Sequence, residues 1–182
     1  MRARDTQRKK VYAAADIAFK SFGGKPVERV ETMDEITKFV SLVWTNPKIE
    51  SKYSVAVHGR FPTIGDGRGR VRASGGWDGI KIPRWCRFKW LIVHELAHTV
   101  TVRTYGNDHA WHGWEFCAVY LDIVRATFGA AAHEALKSSF KKHRVRFTEP
   151  RKRAPLDPAC RAKLVSRLET HRNRNQLHQR AA

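Results

Sequence analysis

Apolar positions in the first quarter of the chain recur at helical steps. Val11, Ala14, Ala15, Ala18 and Phe22 predict a helix over residues 6–22, stopped by Gly23-Gly24. "TMDE" then reads as a capping box, with Thr32 as N-cap and Glu35 three positions on. Ile36, Phe39, Val40 and Val43 form one face of the helix that follows, and Asn46-Pro47 ends it. Between Tyr53 and Ile82 the character changes: "YSVAVHG" and "GIKIP" alternate, and "GRVRASGG" sets one β-branched residue among glycines. "YSVAVHG", "GRVRASGG" and "GIKIP" predict three short strands joined by glycine-rich turns, the last of them an exposed edge strand. Residues 84–103 are apolar on nearly every side (Phe88, Trp90, Leu91, Ile92, Val93, Leu96, Ala97, Val100), which predicts a helix at the centre of the fold. Its "TVTV" end favours strand locally and leaves the C-terminal boundary open. After the polar loop "TYGNDHA", Phe116, Val119, Tyr120, Ile123 and Val124 predict a helix over 112–128, ended by Gly129. A short helix over 131–142 and a strand at "HRVRF" follow. This order predicts an α+β domain over residues 1–148, a small twisted sheet packed on a central helix, and a basic tail over 149–182.

Charge changes the picture at the two ends. Of 182 residues, 35 are Lys or Arg and 17 Asp or Glu, a formal net charge of +18. Residues 141–182 hold 13 basic and 3 acidic residues, and residues 1–10 hold 5 and 1, so the middle is close to balanced. Basic ends suit a polyanion, nucleic acid first, because phosphate contacts release counterions. Cys86, Cys117 and Cys160 are too scattered for a disulfide framework or a cysteine zinc knuckle, and an odd count fits a reducing compartment. No apolar run approaches a membrane span and the N-terminal stretch lacks a signal-peptide pattern, so a cytoplasmic location without membrane contact is expected.

The candidate chemistry lies in "LIVHELAHTV", residues 91–100, where two histidines and a glutamate interrupt the most hydrophobic segment. His94 and His98 are four apart, so on a helix they share a face and their imidazoles can converge on one metal ion. Two neutral histidines suit zinc, and a catalytic zinc site takes three protein ligands and leaves one position for water. Glu95, rotated about 100° from His94, can reach that water as a general base without binding the metal. The expected third ligand comes from "NDHAWHGWEFC". His112 fits a helix, a return loop and a second helix; His109 and Glu115 are alternatives, and Asp108 reads as the N-cap of the second helix. Tyr105 is a candidate donor to a developing oxyanion, and His109 and Trp114 are candidate substrate contacts. His58, His133, His143, His171 and His178 lack ligand spacing and read as surface residues, and Cys117 as a buried, inert one.

"HELAH" followed by "HGWEFC" resembles the H-E-x-x-H…H-G-x-x-F pattern of SprT-like zinc metalloproteases. It is closer still to small metallohydrolases of actinobacteria and their phages, whose approach to the metal helix "IPRWCRFKWLIVHELAH" resembles. The resemblance covers about residues 75–128. It implies a minimal zincin-like domain, His94, His98 and His112 as Zn2+ ligands, Glu95 as catalyst, and a host-cytoplasm location for a phage protein. The chain departs from many SprT-like proteins in having no cysteine-rich module after the core. The expected function is zinc-dependent hydrolysis of a protein or peptide, acting near nucleic acid through the basic termini. The competing expectation is a nucleic-acid-binding module in which the metal is structural or vestigial.

Overall fold

The computed structural model describes residues 3–149; residues 150–182, where the expected basic tail falls, lie outside the described residues. The described part is α+β, with seven α-helices and a three-stranded mixed sheet. Helix α1, Arg8–Phe22, starts where the Arg8 amide donates to Asp5 Oδ1 (3.2 Å), and it stops at Gly23, whose φ of 68° only glycine adopts readily. Val11, Ala14, Ala15, Ala18 and Phe19 are buried, while Phe22 is exposed. Helix α2, Met33–Trp44, opens with the expected capping box: the Glu35 amide donates to Thr32 Oγ1 (3.2 Å) and the Thr32 amide to Glu35 Oε2 (3.0 Å).

Asn46-Pro47 ends α2 and also begins another helix. Asn46 Oδ1 accepts the Lys48 amide (3.0 Å) and Pro47 occupies the first turn of α3, Pro47–Lys52. The strand expected at "YSVAVHG" is instead helix α4, Ser54–Val57. Long-range partners decide this: the Tyr53 hydroxyl donates to Asp122 (2.6 Å), Trp44 Nε1 donates to the Val57 carbonyl (3.2 Å), and Ala56 and Val57 are buried. A short alternating pattern cannot outweigh such packing.

The sheet is smaller than expected and ordered differently. β1, Thr63–Gly65, runs parallel to β3, Gly79–Lys81, and β2, Ser74–Gly75, pairs antiparallel with β3 on its other side. "GIKIP" therefore supplies the central strand, not an edge; β1 had no signal in the alternation, and only two residues of "GRVRASGG" extend into a strand. "HRVRF" forms no strand either. The side chain of Gln7 takes the place of a partner strand there: the Arg146 amide donates to Gln7 Oε1 (2.6 Å), and Gln7 Nε2 donates to the carbonyls of Arg146 (3.2 Å) and His112 (3.0 Å).

Helix α5, Lys89–Tyr105, lies between β2 and β3 on one side and α6, Trp114–Phe128, on the other. A 3-10 turn over Arg84–Cys86 precedes α5, so the helix starts later and ends later than expected. The "TVTV" stretch stays helical because all four side chains are packed in the core, and its hydroxyls are satisfied along the helix, Thr99 by the Glu95 carbonyl (3.5 Å) and Thr101 by the Ala97 carbonyl (2.6 Å). Helix α7, Ala130–Lys142, backs α6, and α1 packs on α7. In this layer His133, expected at the surface, is buried beside Glu134. Among the described residues no helix is long and apolar enough to cross a membrane.

Gly75 sets how closely the sheet approaches the central helix. A Cβ there would stand 2.0 Å from the Glu95 carbonyl oxygen and 3.0 Å from His98 Cβ, whereas one on Gly76 would meet nothing within 4 Å. Gly75→Ala is expected to destabilise the protein by about 3 kcal/mol, because the obstacle is helix backbone that cannot swing aside, while Gly76→Ala changes little. Urea unfolding of the two variants checks this, and equal midpoints would refute the close approach.

Candidate metal centre

Helical geometry brings His94 and His98 to one face of α5, with ring centroids 5.0 Å apart. The chain then turns back at Gly106 and reaches His112, one residue before Gly113, the N-cap of α6. Asp108 is therefore not the cap; it lies five residues too early, and its carbonyl accepts the Ala3 amide (3.2 Å). His112 stands 4.8 Å from His98 and 5.5 Å from His94, centroid to centroid. One nitrogen from each of the three rings lies within 4.8 Å of the others, and all three residues are buried. Phe116, one turn into α6, forms the floor: its ring stacks on His98 (4.1 Å) and meets the edges of His94 (4.9 Å) and His112 (5.0 Å).

Such burial normally demands hydrogen-bond partners. Both nitrogens of His94, Nδ1 of His98 and Nε2 of His112 have none among the described residues. The exception is informative. His112 Nδ1 is 2.7 Å from Asp5 Oδ2, and a carboxylate only accepts, so the proton is on Nδ1 and the Nε2 lone pair is left for the cluster. Burial, first of all, pushes His94 and His98 well below the ordinary imidazole range, so both rings are neutral. Burial also lowers His112, with Asp5 pulling the other way. Three neutral imidazoles with unused lone pairs, crowded into one buried spot, could bind a metal ion. The residues present fit such an ion.

Glu95 is 2% exposed and is not one of the three converging groups. Burial pushes its carboxyl up to about 8, with the Gly75 amide and Arg8 opposing; a cation nearby would restore the carboxylate. It lies where two neighbouring cavities, of about 580 and 220 Å3, share the residues Arg8, Tyr12, Ala73 and Glu95. The smaller one also reaches His98, His112 and the strand β2.

The other expected contacts fall elsewhere. Tyr105, ten residues beyond Glu95, is about 15 Å further along the helix axis; it is exposed and packs on Trp114 (6.1 Å). Neither lines the cavities that hold Glu95. His109 is outside the group of three but close enough to disfavour the charged form of His98. Glu115, in the first turn of α6, lines a separate cavity together with Trp114. Trp111 meets His98 edge-on (5.5 Å).

Three residues of the N-terminal segment are at the site without having been expected there. Asp5 holds His112. Arg8 lines both cavities. Tyr12 places its ring 4.8 Å from His94 and 5.4 Å from His112. Burial raises the Tyr12 phenol to about 12, with Glu95 adding to the effect, so it keeps its proton at neutral pH. Arg8 and Tyr12 are four apart on α1, whereas Asp5 precedes the helix, so no single periodicity marks the three. In comparisons with known proteins, no family model, no curated protein and no solved structure matches the chain.

Proposed function

We propose that the protein is a zinc-dependent hydrolase, and that its substrate is a polypeptide. The observation that carries this reading is the set of unpartnered imidazole nitrogens on His94, His98 and His112, with the carboxyl of Glu95 beside them at the wall of an open cleft. His94, His98 and His112 would hold the zinc, which when bound polarises a carbonyl and makes water more acidic. A structural zinc usually closes with four protein ligands and needs no carboxylate facing a cleft, so three histidines plus Glu95 favour catalysis over the reading as a nucleic-acid module with a structural metal. The choice of peptide bonds rests on the resemblance of "HELAH…HGWEFC" to the zincin-like SprT proteases.

Within that reading each side chain has a task. Asp5 fixes the tautomer and direction of His112. Phe116 closes the floor beneath the three rings against water. Glu95 takes a proton from water and returns it to the leaving amine. Tyr12, a protonated phenol on the same cavity wall, donates a hydrogen bond to the oxygen that becomes negative. Tyr12→Phe is accordingly expected to lower kcat by about a hundredfold or more, with KM and zinc content unchanged; an unaltered kcat would remove Tyr12 from the reaction. Contact with nucleic acid through the basic residues of 141–182 is the localising device in this reading.

The test is metal analysis of the purified protein joined to a chelator-sensitive cleavage assay on an unfolded protein substrate. One zinc per chain, lost in His112→Ala, with cleavage that stops on chelation and returns with zinc, is the expected result. Zinc retained in His112→Ala, or cleavage indifferent to chelation, would overturn it.

A further inference from the structure

The larger cavity beside Glu95 carries an unbalanced charge. Arg8 and Lys9 reach it from α1 and Arg72 from the loop before β2. None of the three has an acidic partner among the described residues. The acids close by are occupied: Asp5 takes the Arg8 backbone amide and His112, and Glu95 is buried in the wall. Some cations elsewhere are paired, as in Lys20–Asp16 (2.9 Å), Arg29–Glu31 (2.8 Å) and Lys89–Glu28 (2.8 Å), but what sets Arg8, Lys9 and Arg72 apart is that all three line one cleft. Three like charges around one cleft repel one another and await a counter-charge from outside. The cleft also has apolar surface: Trp85, 58% exposed, and the half-buried Leu91.

We propose that this cleft binds an acidic polypeptide segment, whose Glu or Asp carboxylates lie against Arg8, Lys9 and Arg72 while their stems and neighbouring apolar side chains rest on Trp85 and Leu91. The adjoining cavity explains why the anion belongs to a peptide. It is bordered by Ser74 and Gly75 of β2, which pairs with β3 on one side and has no strand on the other among the described residues. An extended peptide can bond to such an edge through its own amides and carbonyls, which a phosphodiester backbone lacks. A run of phosphates would also pass directly before the carboxyl of Glu95. The inference rests on the hydrolase reading for the fate of the bound segment, but binding itself does not require turnover.

The experiment therefore uses the full chain carrying Glu95→Gln and reads binding by fluorescence anisotropy. The probes are a labelled glutamate-rich peptide, its glutamine counterpart and a single-stranded oligonucleotide of equal charge. The glutamate peptide is expected to bind about tenfold more tightly than the glutamine peptide. Arg8→Gln with Arg72→Gln should bring that ratio close to one. Lys38→Gln with Lys48→Gln, the same loss of charge outside the cleft, should preserve it. Charge reversal, Arg8→Glu with Arg72→Glu, should transfer the preference to a lysine-rich peptide. A ratio untouched by the two arginine substitutions would assign the preference to the overall charge and overturn the proposal. So would an oligonucleotide that displaces the peptide and depends on the same two arginines. Failure of the wild type to hold zinc or to cleave would refute the hydrolase reading and leave this comparison intact.

Discussion

Glu95→Gln is expected to keep its zinc and to lose hydrolysis by about a thousandfold, the usual worth of a general base. The substitution preserves shape and removes the single property at issue. Glutamine cannot accept a proton, while the three imidazoles that would hold the metal belong to other residues. Nor should the fold suffer. The Glu95 side chain is 2% exposed and burial disfavours its charge, so a neutral isostere is at least as well accommodated. Metal analysis and the cleavage assay on the same preparation read both halves. A Glu95→Gln protein that cleaves as fast as wild type would eliminate the mechanism, however much zinc it held.

His94→Leu should change sign with metal. Both ring nitrogens of His94 are buried without a partner among the described residues, and each such orphan costs about 1–3 kcal/mol. In metal-free buffer leucine, of similar volume and wholly apolar, is expected to raise the unfolding temperature. With zinc present the order reverses. Wild type gains about 2.7 kcal/mol once free zinc exceeds its dissociation constant about a hundredfold, and the variant gains almost nothing. Thermal melts of both proteins, with chelator and with zinc, should therefore cross. If leucine destabilises the metal-free protein and wild type ignores zinc, His94 is a packing residue and the cluster holds no ion.

Both expectations depend on features that differ in how they are encoded. The capping box from Thr32 to Glu35 spans four residues, and the pairing of His94 with His98 follows from the turn of one helix. Such features are legible because the interacting groups are neighbours in the chain. His112 was reachable by spacing, since one loop must bring the next helix back. The strand expected at "YSVAVHG" failed for the opposite reason. Its alternation was real, but its partners are Trp44 on α2 and Asp122 on α6, and short patterns yield to packing of that range. Tyr105, expected as an oxyanion donor, lies at the C-terminal end of α5, about 15 Å along the axis from Glu95, and the tyrosine beside the histidines belongs to α1.

The sequence by itself determined the chemistry on offer: two imidazoles and a carboxyl on one helix, a third imidazole one loop away, and an excess of positive charge. Only the tertiary structure decided what surrounds them. Asp5 reaches His112 across 107 positions, Tyr12 covers His94 from a helix packed on α7, and Gly75 lets the sheet edge touch α5. No local rule predicts these contacts, because each is set by how the faces of separate elements fit together once the core has closed.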